Sequence, residues 1–240
     1  MNIERNIRLP RSNDDVNPSA GRPWCAPKRR PQSRALAVAS MSIAFVVAAL
    51  AGFGGSQAYA QAPKFTLSSP DLAGSVFETK FTLNGFGCTG SNVSPALQWS
   101  NVPAGTKSLA LQVHDLDGPA GIGLFHWAVY NIPPNATALP QGAGNSPSML
   151  PTPAFGGNTD FLDTGATGAN GNYGGPCPPA GDKAHRYVFT LYAVAVDDVQ
   201  AAAGIPKTGT AALYSFVLNK GLGAKLLGTA SFTNFEGPKL

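Results

Sequence analysis

The chain has 240 residues, with 17 basic and 13 acidic side chains and a net charge of +4. The excess sits in positions 1–60, where eight basic residues face three acids; positions 61–240 hold nine against ten, a net of −1. Without a clustered basic face, 61–240 offers nothing to nucleic acid, and 180 residues suffice for one domain with a sizeable core.

Arg5 to Arg34 is basic, Ala35 to Gly55 is uncharged, and Ala58-Tyr59-Ala60 follows. Basic, then apolar, then a small-x-small site is the order of a secretory signal peptide. The expectation is a leader over 1–60, cleavage near Gln61, and a periplasmic or secreted domain over 61–240. The uncharged run also has about the 20 residues that a retained anchor needs. Membrane contact is expected only through this segment. Cys25 belongs to the leader, which leaves Cys88 and Cys177. In an oxidising compartment they fit a disulfide; two buried thiols are the alternative.

Short apolar runs follow, separated by Gly, Pro, Asn and Ser clusters. Strands are expected at Phe65–Leu67, Phe77–Leu83, Ala96–Trp99, Ser108–Asp115, Phe125–Ile132, Arg186–Val196 and Leu226–Phe232. Arg186–Val196 is apolar on both faces, as a strand between two layers should be. Helices are few and late: Asp197–Ala203, capped by Asp197 or Asp198, and Thr210–Asn219. The pattern predicts a mainly β fold, an antiparallel, Greek-key-like sandwich of two sheets with short peripheral helices near the C-terminus. Residues 134–184 contain 18 Gly or Pro in 51 positions. Structureless loops beyond about 15 residues are uncommon in compact domains. A cleft wall is the expected use, with Gly144 to Gly157 as a mobile surface excursion. Asn92-Val93-Ser94 and Asn135-Ala136-Thr137 fit a glycosylation sequon that is frequent by chance and carries no weight here.

The three histidines are His114, His126 and His185. A three-histidine metal site is the sharp reading. Strand alternation opposes it, since His114 points away from the face of Val113 and Asp115. His126 and His185 each stand near the start of an apolar strand. Asp115 and Asp117 stand at the end of another, and antiparallel pairing brings such ends together. Neither a metal nor another cofactor is expected.

Two segments, His114 to Pro133 and Gly175 to Tyr187, resemble the signature segments of the phosphatidylethanolamine-binding protein family, in its bacterial Raf kinase inhibitor-like branch. Ser94-Pro95-Ala96-Leu97-Gln98-Trp99 is similar to a further motif, and the likeness spans most of 65–235. The resemblance implies a small anion pocket built by Asp115, Asp117, His126, His185 and Tyr187, walled by Pro119, Trp127, Pro176 and Pro178. Leu116, Gly118 and Phe125 depart from the family pattern. Alternation sets Arg186 opposite His185 and Tyr187, so a structural ion pair is its expected role. Gly118-Pro119, in a tight turn beside the pocket, is a candidate cis peptide.

No nucleophile elbow, H-E-x-x-H or phosphate loop is present in the sequence. The leading expectation is a non-enzymatic binding protein for a small anionic or phosphorylated ligand. An inhibitor of a protease or another envelope partner is the second. A weak hydrolase using Asp115 and His126 is the third.

Overall fold

A computed structural model describes residues 63–162 and 164–237. The leader, its cleavage site and the anchor alternative lie outside the described residues. The chain forms β1 (Thr66–Ser68), β2 (Asn84–Gly85), β3 (Cys88–Thr89), β4 (Leu97–Ser100), β5 (Ser108–Asp115) and β6 (Leu124–Ile132). Then come β7 (Ala138–Leu139), β8 (Phe155–Gly156) and β9 (His185–Val194). Helices α1 (Val199–Ala203) and α2 (Ala211–Phe216) precede β10 (Leu226–Glu236). The fold is thus mainly β with few short helices. Among the described residues, no helix is long and apolar enough to cross a membrane.

The principal sheet has the order β10-β9-β5-β6-β8, and a second sheet has the order β1-β4-β7. Strands β5, β6 and β9 are largely buried on both faces, and alternation sorts their apolar residues by face. Leu109, Leu111, Val113, Trp127, Val129, Leu191 and Ala193 enter one buried cluster with Leu67, Leu97, Trp99 and Leu139 of the second sheet. Ala110, Ala128, Tyr130, Tyr192 and Val194 enter another, with Tyr214 of α2 and Leu218 just beyond it. Asp198 caps α1 by accepting from the N–H groups of Gln200 and Ala201, and Thr210 caps α2 through Leu213. Buried Gln112 on β5 donates to the Ala211 carbonyl at 2.9 Å and to the Tyr130 hydroxyl at 3.1 Å, fixing α2 on the sheet.

Three expectations need correction. Phe77–Leu83 is not a strand: Thr79–Phe81 makes a single 3-10 turn. Its surroundings explain this, because the Leu83 N–H goes to Pro176 O and Thr82 O accepts from Asn92. Those partners are loops rather than a neighbouring strand, while Phe81 and Leu83 are fully buried. Gly118-Pro119 is not cis; among the described residues the cis bond lies at Thr152-Pro153. The turn after β5 closes without it, because the Asp115 carboxylate accepts from the Asp117 N–H at 2.9 Å. The middle of 134–184 is packed: Ala143 and Leu150 join the core. A Cβ on Gly144 would fall 2.6 Å from the Trp127 ring.

Candidate functional site

Register places the site. Asp115, the last residue of β5, lies opposite Leu124 on one side and Tyr187 on the other. Antiparallel pairing therefore sets the end of β5 between the starts of β6 and β9. There the side chains of Asp115, His126, His185 and Tyr187 meet, each at most 3% exposed. They line a cavity of about 260 Å³. Its other walls are mainly apolar: Leu83, Phe86, Pro119, Leu124, Phe161 and Pro179, with Asp160, Thr164 and Cys177 completing them.

The polar groups have distinct tasks. His185 Nδ1 lies 2.7 Å from Asp115 Oδ2, and its Nε2 lies 3.3 Å from Asp182 Oδ2. Carboxylates only accept, so both contacts are hydrogen bonds when both ring nitrogens carry protons. Burial, and then the Asp115 charge, pushes the Tyr187 phenol far above its ordinary range, so it stays a neutral hydroxyl. His126 Nδ1 lies 2.8 Å from the Gly174 carbonyl. A carbonyl accepts, so Nδ1 holds the proton. His126 Nε2 is buried and has no hydrogen-bond partner among the described residues. It stands 3.9 Å from Asp115 Oδ2. Burial lowers the His126 pKa, opposed by the Gly174 carbonyl and the Asp115 charge, so a neutral ring offers a lone pair at Nε2. The ring is held edge-on to Phe161 at 5.1 Å and to Tyr187 at 5.0 Å.

Of the residues expected in the pocket, Asp115, His126, His185, Tyr187 and Pro119 come together. Asp117 does not line the cavity. Its carboxylate accepts from Arg186 Nε at 2.8 Å and Nη2 at 3.2 Å, and pairs with Lys183 at 2.8 Å. It is spent on the ion pair that was expected of Arg186. Trp127 turns to the opposite face from His126 and packs edge-on to Tyr173 in the core. Pro176 and Pro178 also miss the cavity, whereas Cys177 and Pro179 line it. An extended segment alternates its faces, and the odd positions face inward here. Cys177 is bonded to Cys88, with the Cα atoms 6.0 Å apart, so a disulfide joins the β2–β3 hairpin to the cavity wall. His114 stands apart, stacked on Phe125 at 4.1 Å with Nε2 2.8 Å from Ile122 O. Among the described residues no cluster of three metal-binding side chains forms.

Sequence reasoning missed Asp160, Phe161 and Asp182. Asp160 Oδ2 accepts from the Phe125 N–H at 2.6 Å and so is fixed at the start of β6. All three come from loops without a strand pattern, and nothing in their local sequence marks them.

The sequence model of the phosphatidylethanolamine-binding protein family matches residues 73–232. The chain is 40% identical to the UPF0098 protein YbcL of Escherichia coli over 176 residues, 72% of this chain and 88% of YbcL. It is 39% identical to YbhB of the same organism over 139 residues, 58% of this chain and 83% of YbhB. LppC of Mycobacterium tuberculosis, a provisionally assigned lipoprotein, is 38% identical over 152 residues, 63% of this chain and 64% of LppC. The crystal structure of YbcL, described as a member of the mammalian PEBP family, superposes with a TM-score of 0.63 at 38% identity. The match covers 74% of this chain and all of YbcL. With the family pattern spanning β5, β6, β9 and every residue that lines the cavity, the chain belongs to the phosphatidylethanolamine-binding protein family.

Proposed function

We propose that this protein is a non-enzymatic, exported binding protein whose cavity takes a small phosphorylated head group such as phosphoethanolamine. The observation that carries the reading is His126 Nε2, buried at the cavity with no hydrogen-bond partner among the described residues. A buried polar atom left unpaired costs free energy, and a ligand oxygen is a fitting partner. A singly ionised phosphate can donate its hydroxyl to neutral Nε2, and a dianion can accept from protonated Nε2. Asp160 and Asp115 suit an ammonium on the same ligand, which offsets their repulsion of phosphate. The apolar walls exclude water and strengthen each contact. Export is supported by the leader-like order of residues 1–60 and by LppC being provisionally assigned as a lipoprotein. A sandwich reading of the fold is supported by the two sheets sharing one buried cluster.

The test is calorimetry with phosphoethanolamine on wild type, His126→Ala and His185→Ala. Affinity should be modest, since a small ligand has few atoms to gain from. Each substitution should weaken it. An anion favours the protonated ring, and burial holds the His126 pKa below its ordinary value. Binding of sulfate, ionised throughout, should therefore strengthen as pH falls below about 6.5. Phosphoethanolamine should show less gain, because its own second ionisation lies near pH 6. If both alanine variants bind as tightly as wild type, the cavity is not the binding site. Release of inorganic phosphate during titration would make the protein a hydrolase instead.

A further inference from the structure

We infer that Asn92 is a positioning residue, which fixes the tautomer of His126 by clamping the Gly174 backbone against it. The inference rests on the proposed role of His126 as a ligand contact.

The two peptide units flanking Gly174 are held from both sides. On one side the Asn92 amide donates to Tyr173 O at 2.9 Å and accepts from the Gly175 N–H at 2.7 Å. On the other, the Gly174 N–H donates to His126 O at 2.8 Å, and His126 Nδ1 donates to Gly174 O at 2.8 Å. One carboxamide thus grips the outer carbonyl and the outer N–H, while His126 takes the inner pair. Only a side chain with one donor and one acceptor in a plane fits the outer pair. The strap also needs its glycines. A Cβ on Gly174 would fall 2.5 Å from the Phe161 ring, and one on Gly175 would fall 2.4 Å from Phe81 O.

Asn92 is itself preset. It is buried, has a left-handed φ of 51°, and its carbonyl accepts from Asn145 Nδ2 at 2.6 Å. Asparagine tolerates that backbone better than other side chains with a Cβ. Both amide atoms are used, so the sequon at Asn92-Val93-Ser94 is occupied structurally. The consequence reaches the cavity. With Gly174 O fixed, the His126 proton stays on Nδ1 and the lone pair stays on Nε2, the atom at the cavity. Were Gly174 O free to turn away, the proton could move to Nε2 and the site would present a donor in place of an acceptor.

The test reads the imidazole nitrogens of the full chain by 15N NMR at a pH where His126 is neutral. With three histidines in the chain, single substitutions of the other two assign His126. Wild type should show one tautomer with the proton on Nδ1. Asn92→Ala should add a population protonated on Nε2 and, because the dianion that prevails at that pH only accepts, tighten phosphoethanolamine binding about three- to tenfold, the worth of one hydrogen bond. A lowered melting point alone would not distinguish this from a merely structural role; the tautomer signature does. If Asn92→Ala keeps the wild-type tautomer, or wild type carries the proton on Nε2, the inference is overturned. Should Asn92→Ala not fold, Asn92→Asp, which keeps the acceptor and loses the donor, is judged by the same two outcomes. A tautomer shift with unchanged affinity supports the role of Asn92 and removes that of His126 in binding.

Discussion

Replacing Cys88 and Cys177 together by alanine cuts the tie between the β2–β3 hairpin and the cavity wall. The bond spans 89 positions of sequence. Loop-closure entropy for a loop of that length gives about 4–5 kcal/mol of stabilisation, acting on the unfolded chain. In a domain of this size each kcal/mol moves the melting point by roughly 2–4 °C, so the double variant should melt about 8–20 °C lower. The tie also has a native-state use. Beyond Pro176, whose carbonyl takes the Leu83 N–H, the next backbone bond is internal, from Asp182 to Pro179. The wall that carries Cys177, Pro179 and Asp182 is thus held largely through its side chains. Guanidinium unfolding of wild type and of Cys88→Ala/Cys177→Ala is the assay. The variant should lose midpoint and gain slope, because an uncrosslinked chain exposes more surface on unfolding. A loss under about 1 kcal/mol with an unchanged slope would refute the argument, since loop entropy of this size has no other place to go.

Gly175→Ala should destabilise by about 1–3 kcal/mol, because the added Cβ meets backbone at Phe81 O and Leu83 N rather than a side chain that can yield. A thermal melt matching wild type would contradict it. Gln112→Leu should cost about 1–3 kcal/mol by removing the buried bonds that tie the Ala211 carbonyl and the Tyr130 hydroxyl to β5, to be read by urea unfolding. The Arg186 guanidinium, and then Lys183, hold the Asp117 carboxyl well below the usual carboxylate range. A depressed carboxyl stabilises above its unfolded pKa, about 3.9, and loses that contribution as pH falls through the folded value. The stability gap between wild type and Asp117→Asn should therefore be widest above about pH 5 and narrow toward pH 2; a gap independent of pH would count against the ion pair.

Strand pattern carried far in this chain because its period is two. Ser108–Asp115 was legible as a strand to the residue, and the alternation that parts His114 from Asp115 holds in the structure. The same rule parted Arg186 from His185 and Tyr187. It also brings antiparallel ends together, which gathers Asp115, Asp117, His126 and His185; the structure turns Asp117 away to Arg186, and Tyr187 enters through the family resemblance. Where a segment had no partner strand, the rule misled. Phe77–Leu83 looks like a strand and buries its aromatics like one, yet after Phe77, whose N–H reaches Phe235 O on β10, its backbone bonds close its own turn or go to loops.

The sequence by itself determined the mainly β class, the family signature and the means for a disulfide, and through the resemblance it named five polar pocket residues, of which four meet at the sheet end. Tertiary structure alone decided which way the loop residues face. Trp127 faces away because it follows His126 on β6. Pro176 and Pro178 yield to Cys177 and Pro179 because the phase of an extended segment is set by its anchors, here the Pro176 carbonyl and the disulfide. Asp117 turns from the cavity because Arg186 and Lys183, both on the later segment, reach it first. Asn92 and Asp160 were invisible for the same reason. Each acts through partners more than 30 positions away, and a hydrogen bond across that distance leaves no periodic mark in the chain.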